Sequence, residues 1–455
     1  MKTLFLCAFA AVCLLSGCYE TNNAPMEAHT SWKRWEKQEL KFRIGKNGSA
    51  AENEKKAAYF KECVAKFAPY ILKEFEEIDN CMSWKPGTAL RINSLGVDYK
   101  AVPAPHECTS WLAMPEITAG NEVMLHKNRD SSSRYLTAHR ISVPGKYSWI
   151  GNCNYGTFAP TSGINEKALA VVMNSGPRSK GETSMGMGTP FITRIILEQC
   201  KTAAEAVKLL EKIVKAKAYN HGASGSIWFF ADPKSAFLVE HDGIVFKAAQ
   251  VKSGLALRAN SWHFPETLVY SKNKPKAIIA NTNREYALRD FLVNRILATG
   301  KRITLEDMLK ASRIDKFDFA PGSYALCDRL TVVGTTYVLD PEFPEELSYF
   351  VSTFGPPRHG LYLPVPCTLK MVPESISSGS WAEKLFKRKI AKKALDMKKL
   401  ESAEAQMLKK HNAAREEARK VLRAGGFSAR KKAIDIMEKA FAENMKVAEK
   451  VSAAL

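Results

Sequence analysis

At Cys108 the chain changes its hydrophobic period, and that change constrains the fold more than any bulk property. Before it, Ala57, Phe60, Val64, Phe67, Ile71 and Phe75 recur every three or four residues, which predicts helix over 50–80. Pro103-Ala104-Pro105 follows as an extended stretch poor in helix formers, leading into Cys108. Beyond it the pattern is that of strands. Cys108–Met114 and Val123–Lys127 flank Ile117-Thr118-Ala119-Gly120-Asn121, a turn sequence, and so predict a hairpin. Further strands are expected at Tyr147–Cys153, Leu169–Met173, Ser226–Phe230, Ala236–Glu240 and Thr331–Leu339, with Asp232-Pro233-Lys234-Ser235 as a turn. Helices are expected at Pro190–Cys200, Ala203–Lys215, Asn283–Thr299 (ended by Gly300) and Leu305–Arg313. Strands in hairpin-like pairs with helices grouped between them imply α+β layers rather than a βαβ series.

The chain has 455 residues, enough for two or three organised pieces. Its 45% hydrophobic and 25% charged residues exclude a disordered or fibrous protein. The net charge of +20 would suit a nucleic-acid binder, but its distribution argues against that. Residues 381–455 hold 20 basic and 10 acidic residues, so half of the excess lies in the tail. That tail is rich in Lys, Ala and Glu and is broken at Gly425-Gly426, which predicts a helical hairpin or one long helix. A solvated basic arm is the expectation for it, ahead of a surface for acidic lipid head groups or cell wall.

The first residues address the compartment. Lys2, the apolar run Leu4–Leu15 and then Leu15-Ser16-Gly17-Cys18 read as an export signal, too short for a membrane span. The ending resembles the lipobox of bacterial lipoproteins, in which the Cys thiol receives a diacylglyceryl group. Cys18 is thus the expected lipidation site, and the mature protein the expected lipid-anchored, exported form, on the periplasmic side or cell surface. The expected segments are a leader over 1–18, a tether and helical pro-segment over 19–107, a catalytic domain over 108–380 and a basic helical tail over 381–455.

Outside the leader stand Cys63, Cys81, Cys108, Cys153, Cys200, Cys327 and Cys367, an odd number that leaves at least one thiol unpaired. No CxxC or Cys/His cluster has zinc spacing, so neither metal nor cofactor is expected. No phosphate loop is expected either: Gly181, Gly186 and Gly188 lack the Lys and the strand, and suit a loop over the site. No His lies in a papain-like context.

Chemistry concentrates downstream of Cys108-Thr109. Lys127-Asn128-Arg129-Asp130 ends the second expected strand, and Gly163-Ile164-Asn165-Glu166-Lys167-Ala168-Leu169-Ala170 and Asn174 follow. Later come Arg258-Ala259-Asn260 with His263-Phe264, and Asn283-Arg284 with Arg289. This order resembles the cysteine-dependent N-terminal nucleophile (Ntn) hydrolases. It most resembles the acyl-CoA:6-aminopenicillanate acyltransferase family, with the choloylglycine hydrolase/penicillin V acylase and dipeptidase families as cousins. The resemblance covers roughly residues 108–370.

A thiol with a pKa of about 8.5 needs a base to attack at neutral pH. A free α-amine, with a pKa of about 7.7–8.0, suits that task, so a Cys that is the first residue carries both functions. Cys108 is internal, hence the Glu107–Cys108 bond must first be cut; the resemblance implies autocatalysis through an N-to-S acyl shift. A hairpin would return Asp130, 22 residues on, beside Cys108, where it can accept from the amine.

The resemblance also implies the four-layer αββα sandwich, and oxyanion or amine-holding roles for Asn174 and Asn260. It further implies a site role for Arg284, and contact of Lys127 or Arg129 with the thiol. His263 is a candidate for the substrate pocket, and Asn165-Glu166-Lys167 reads as a structural turn. The expected partner is a small linear amide or peptide-like molecule, with no nucleic acid. An acyltransferase using the same site, a catalytically inactive envelope lipoprotein, and a nucleic-acid or cell-wall binder acting through the tail are the alternatives.

Overall fold

Alternation along single strands sorts the molecule into layers. The computed structural model describes residues 49–95, 108–131, 136–154, 157, 159–178, 185–220, 224–265, 283–315, 326–328, 330–390 and 396–454. The leader with Cys18, the tether and the 103–107 stretch with Glu107 lie outside these residues, as do residues 181–184 of the Gly-rich segment.

One antiparallel sheet contains β1 (Thr109–Ala113), β2 (Val123–Asp130), β12 (Leu255–Arg258), β13 (Thr331–Leu339), β14 (Tyr349–Ser352) and β15 (Leu363–Pro366), in the order β12-β1-β2-β13-β14-β15. The other contains β3 (Leu136–Ile141), β4 (Trp149–Asn154), β5 (Pro160–Asn165), β6 (Ala170–Arg178), β9 (Ser224–Ala231), β10 (Ala236–His241) and β11 (Phe246–Gln250), in the order β11-β10-β9-β6-β5-β4-β3. A two-residue parallel pair, β7 (Met187–Gly188) and β8 (Tyr219–Asn220), stands apart.

Leu112, Leu125, Tyr337 and Phe350 of the first sheet meet Ile150, Ile164, Val172 and Phe229 of the second in a shared core. On the outer face of the first sheet, Trp111, Met124, Val338 and Val351 pack against Leu288, Leu292, Met308 and Leu309. Those come from a helix over 283–289, its continuation Asp290–Asn294, and the helix Leu305–Ser312. On the outer face of the second sheet, Trp149, Val171, Trp228 and Phe230 pack against the helices Thr189–Gln199 and Ala203–Lys215. Helix, sheet, sheet, helix is the four-layer sandwich that the resemblance implies. Period-two strands bury both faces here because each sheet is covered twice.

Three N-terminal helices join the outer layer on the second sheet. The single helix expected over 50–80 is two, α1 (Ala50–Phe67) and α2 (Tyr70–Cys81), followed by α3 (Thr88–Leu95). The break falls at Ala68-Pro69, because Pro lacks the N–H that a continuous helix needs. Phe60 and Phe75 pack edge-on against Phe191, and the buried Arg194 bonds both Glu74 on α2 and Glu198. Helices α1–α3 are therefore part of the core.

The tail differs from the solvated arm expected for it. Two helices, Met397–Ala424 and Ala429–Ala454, do form a hairpin across Gly425-Gly426. Their Leu400, Met407, Phe441 and Met445 complete the core between the sheets beside β15. Arg415 is buried and bonds Glu122 in the β1–β2 turn and Asp340 at the end of β13, while Glu404 receives both arms of Arg313. Residues at helical spacing that look merely alanine-rich are small enough to pack closely.

Candidate active site

The β1–β2 hairpin builds the site. Thr109 pairs with Asn128 and Ser110 with Lys127, so the residue before β1 returns beside the end of β2. Cys108 is 6% exposed, and its thiol lies 3.9 Å from the Asp130 carbonyl oxygen. Side-chain alternation then divides the labour. Lys127 and Arg129 project between the sheets, where the Lys127 ammonium donates to Met173 O and Arg129 donates to Asn154 Oδ1 at 2.6 Å. Asn128 and Asp130 project outward, Asn128 donating to Ser312 O and Leu326 O at 2.8 Å each.

Lys127 is coupled electrostatically to Cys108. Burial lowers its pKa to about 8, Arg129 acts in the same direction, and the Cys108 and Asp130 charges oppose it. Asp130 is wholly buried and meets Arg284 at 2.9 Å. The same guanidinium reaches Thr109 Oγ1 at 3.4 Å and Asp328 at 3.1 Å. Burial pushes the Asp130 carboxyl up to about 7; Arg284 counters this, and Asp328 reinforces it. Lys389, from the helix Ser380–Ile390, donates to the carbonyls of Asp328 and Thr331 at 3.2 Å each, tying the tail region to this corner.

The two asparagines also come to the site, with different hydrogen-bonding partners. Asn174 on β6 accepts from Ser110 Oγ at 2.8 Å and donates to Arg258 O at 3.1 Å and Ala259 O at 3.2 Å. Both its amide hydrogens are thus committed to holding the 258–260 segment, which departs from the oxyanion role expected of it. Asn260 donates to Ser175 O at 2.6 Å, and its buried Oδ1 has no hydrogen-bond partner among the described residues. This segment can lie over the sheet only because of two glycines. A Cβ on Gly176 or Gly225 would stand 2.4 Å from the Trp262 ring.

His263 is exposed, and its ring pairs with Glu285 at 3.0 Å. Glu285 also accepts from Ala259 N at 2.8 Å, and the buried Glu240 accepts from Arg258 Nε, His263 N and Phe264 N. Arg289 is exposed. Asn165 is structural, as its turn sequence implies: it donates to Leu197 O and Cys200 O and accepts from Lys167 N and Leu169 N. The sequence reading missed Asp328, Glu240, Glu285 and Ser110. Their only signal is three-dimensional, since each acts on a residue that the chain brings from far away. Among the described residues no group of His, Cys, Asp and Glu is arranged to hold a metal ion, and Cys63, Cys108, Cys200, Cys327 and Cys367 are free thiols.

Two facing antiparallel sheets between helical layers, with a cysteine at the head of the strand that starts the first sheet, are the architecture that the resemblance to the cysteine Ntn hydrolases implies. Residues 117–263 match the model of the family described as acyl-coenzyme A:6-aminopenicillanic acid acyl-transferase. Solved structures similar to this chain include the Caenorhabditis elegans ortholog of N-acylethanolamine-hydrolyzing acid amidase. It is 15% identical, with a TM-score of 0.34, and the match covers 52% of this chain and 94% of that one. They also include a variant of the conjugated bile acid hydrolase from Clostridium perfringens. It is 10% identical, with a TM-score of 0.35, covering 57% of this chain and 92% of that one. A search of curated proteins found no match.

Proposed function

We propose that the chain is an exported, lipid-anchored thiol hydrolase of linear amides, activated by cleavage of its own Glu107–Cys108 bond. The observation that carries this reading is the β1–β2 pairing. It sets Cys108 at the return of β2, beside the Asp130 main chain and within the field of Lys127, with Arg284 behind Asp130. In the activating step the Cys108 sulfur attacks the Glu107 carbonyl carbon, the C–N bond breaks, and its nitrogen takes the thiol proton to become a free amine. Water then cleaves the Glu107 thioester. The cut leaves α1–α3 docked through the Phe60–Phe191 contact and the Arg194–Glu74 pair, as a retained light chain.

In turnover the α-amine accepts the Cys108 proton while sulfur attacks the substrate carbonyl carbon. The proton passes to the leaving amine, and water resolves the acyl-thioester. Asn260, with one amide hydrogen beyond the bond to Ser175, is the oxyanion donor in this reading, and Asn174 positions it through the 258–260 segment. An acceptor amine in place of water would turn the same acyl-enzyme to transfer, the reaction in the matched family's description.

Intact-mass measurement of the purified protein tests the first step. Active material should contain a heavy chain starting at Cys108, and full activity with that bond intact would refute the mechanism. Cys108→Ala should abolish both cleavage and turnover. A panel of N-acyl amino acids, dipeptides, bile-salt conjugates and β-lactam amides, with and without an added amine, identifies the substrate and the acceptor.

A further inference from the structure

The C-terminal hairpin fills the core with one side and presents a different chemistry on the other. Its second helix, Ala429–Ala454, exposes Lys432, Lys439 and Lys446 at seven-residue intervals. Seven residues are nearly two turns, so these ammonium groups form one stripe along the helix. Just before the helix the chain turns through Gly425 and Gly426, at φ of 71° and 97°, and Phe427 stands wholly exposed at the tip. Towards the other end, exposed Met371 and Ala442 stand over an open groove of about 520 Å³, floored by the buried Phe441 and Met445 and bordered by Lys370, Lys446, Glu438 and Glu449. The acidic groups on this side are Asp435, Glu438, Glu443 and Glu449; the first two are within 3.8 and 3.1 Å of Lys370, and Glu443 pairs with Lys410 at 2.7 Å and lies in the field of Lys439 and Lys446.

Here an aromatic tip lies just before a helix that carries a lysine stripe and one wall of an apolar groove, and residues 429–454 hold six basic and four acidic residues. We propose that this face is a contact surface for an anionic lipid bilayer. The lysines meet the head-group phosphates, while Phe427 and the groove sit at the boundary of head groups and acyl chains. Cations are drawn to the negative surface potential, and an amphipathic helix adds the burial of its apolar residues. One acyl anchor holds weakly and two signals hold firmly, so this surface would complement a lipid on Cys18 and fix the orientation of the enzyme. The inference does not depend on the amide-hydrolysis reading.

The test mixes the purified full chain with vesicles of phosphatidylcholine, with and without phosphatidylglycerol. Phe427→Trp reports insertion after subtraction of the parent spectrum. Its emission should shift to the blue and be quenched by brominated acyl chains on the anionic vesicles, and much less on the neutral ones. With Lys432→Glu, Lys439→Glu and Lys446→Glu added, the response should fall to the neutral-vesicle level, while circular dichroism stays unchanged. Emission that ignores anionic vesicles, an equal response to both vesicle types, or a response that survives the three reversals overturns the proposal. So does retention of the chain by isolated cell-wall polymer without any vesicle response.

Discussion

Arg284 bonds Asp130 at 2.9 Å from outside the first sheet, and at 3.1 Å the same guanidinium holds Asp328. One guanidinium therefore faces two buried or half-buried carboxylates, while the Lys389 ammonium holds the main-chain carbonyls of Asp328 and Thr331. Asp130 accordingly rises from its ordinary 3.8 to about 7, through burial first and Asp328 next among the raising causes, against Arg284 and Thr331.

The sign of the stability effect follows. A carboxyl with a raised folded pKa favours the fold below its unfolded value, and that contribution is lost as pH rises through the folded one. In uncleavable Cys108→Ala protein, denaturant titrations should show stability falling between about pH 4 and 7 relative to the Cys108→Ala/Asp130→Asn double variant. A pH-independent difference between the two would contradict the assignment.

Asp328 is a positioning residue, since it acts through Arg284. Asp328→Asn should slow turnover about ten- to a hundredfold, mainly in kcat, through a misaligned Arg284. Because the Asp328 charge raises Asp130, its removal should also move the acid limb of the pH–rate profile downward. An unmoved profile would reduce Asp328 to a structural cap for Leu330 N and Thr331 N.

The asparagines should separate in their effects. Asn260→Ala should lower kcat about a hundred- to a thousandfold with thermal stability nearly unchanged, as for a lost oxyanion donor. Asn174→Ala leaves the Arg258 and Ala259 carbonyls and Ser110 without their partner, and should cost about 1–3 kcal/mol in denaturant unfolding. Equal kinetic and stability losses at both positions would argue against this division.

Truncation after residue 390 should give insoluble protein rather than an enzyme that has merely lost an attachment arm. It would strip Leu400, Met407, Phe441 and Met445 from the core between the sheets and leave Asp340 without Arg415 and Arg419. Recovery of soluble, active protein in gel filtration would show that the hairpin is dispensable.

The strands legible in the sequence were those with β-branched or aromatic runs, such as β9, β10 and β13. β5 escaped notice because Pro160-Thr161-Ser162-Gly163 looks like a loop. Yet Gly163 is needed there, since an added Cβ would stand 2.9 Å from Leu197 on the covering helix. β14 and β15 were missed for a related reason: they are four residues long, and their edge is finished by the C-terminal hairpin. At the site, Cys108, Lys127, Asp130, Asn174, Asn260 and Arg284 were all identifiable as residue types in a particular order. Their distances and mutual bonds were not.

What the amino-acid order determined by itself is local: the change of period at Cys108, the hairpin that follows it, the helices and their glycine ends. Each of these depends on backbone preferences within a few residues. Only the tertiary structure decided that Lys127 couples to Cys108, that Asn174 spends its hydrogens on Arg258 and Ala259, that Asp328 shares Arg284, and that the basic tail closes the sandwich. Those outcomes depend on which side chains meet across the sheets, and burial in a low-dielectric interior, acting over distances no sequence window spans, sets their charges.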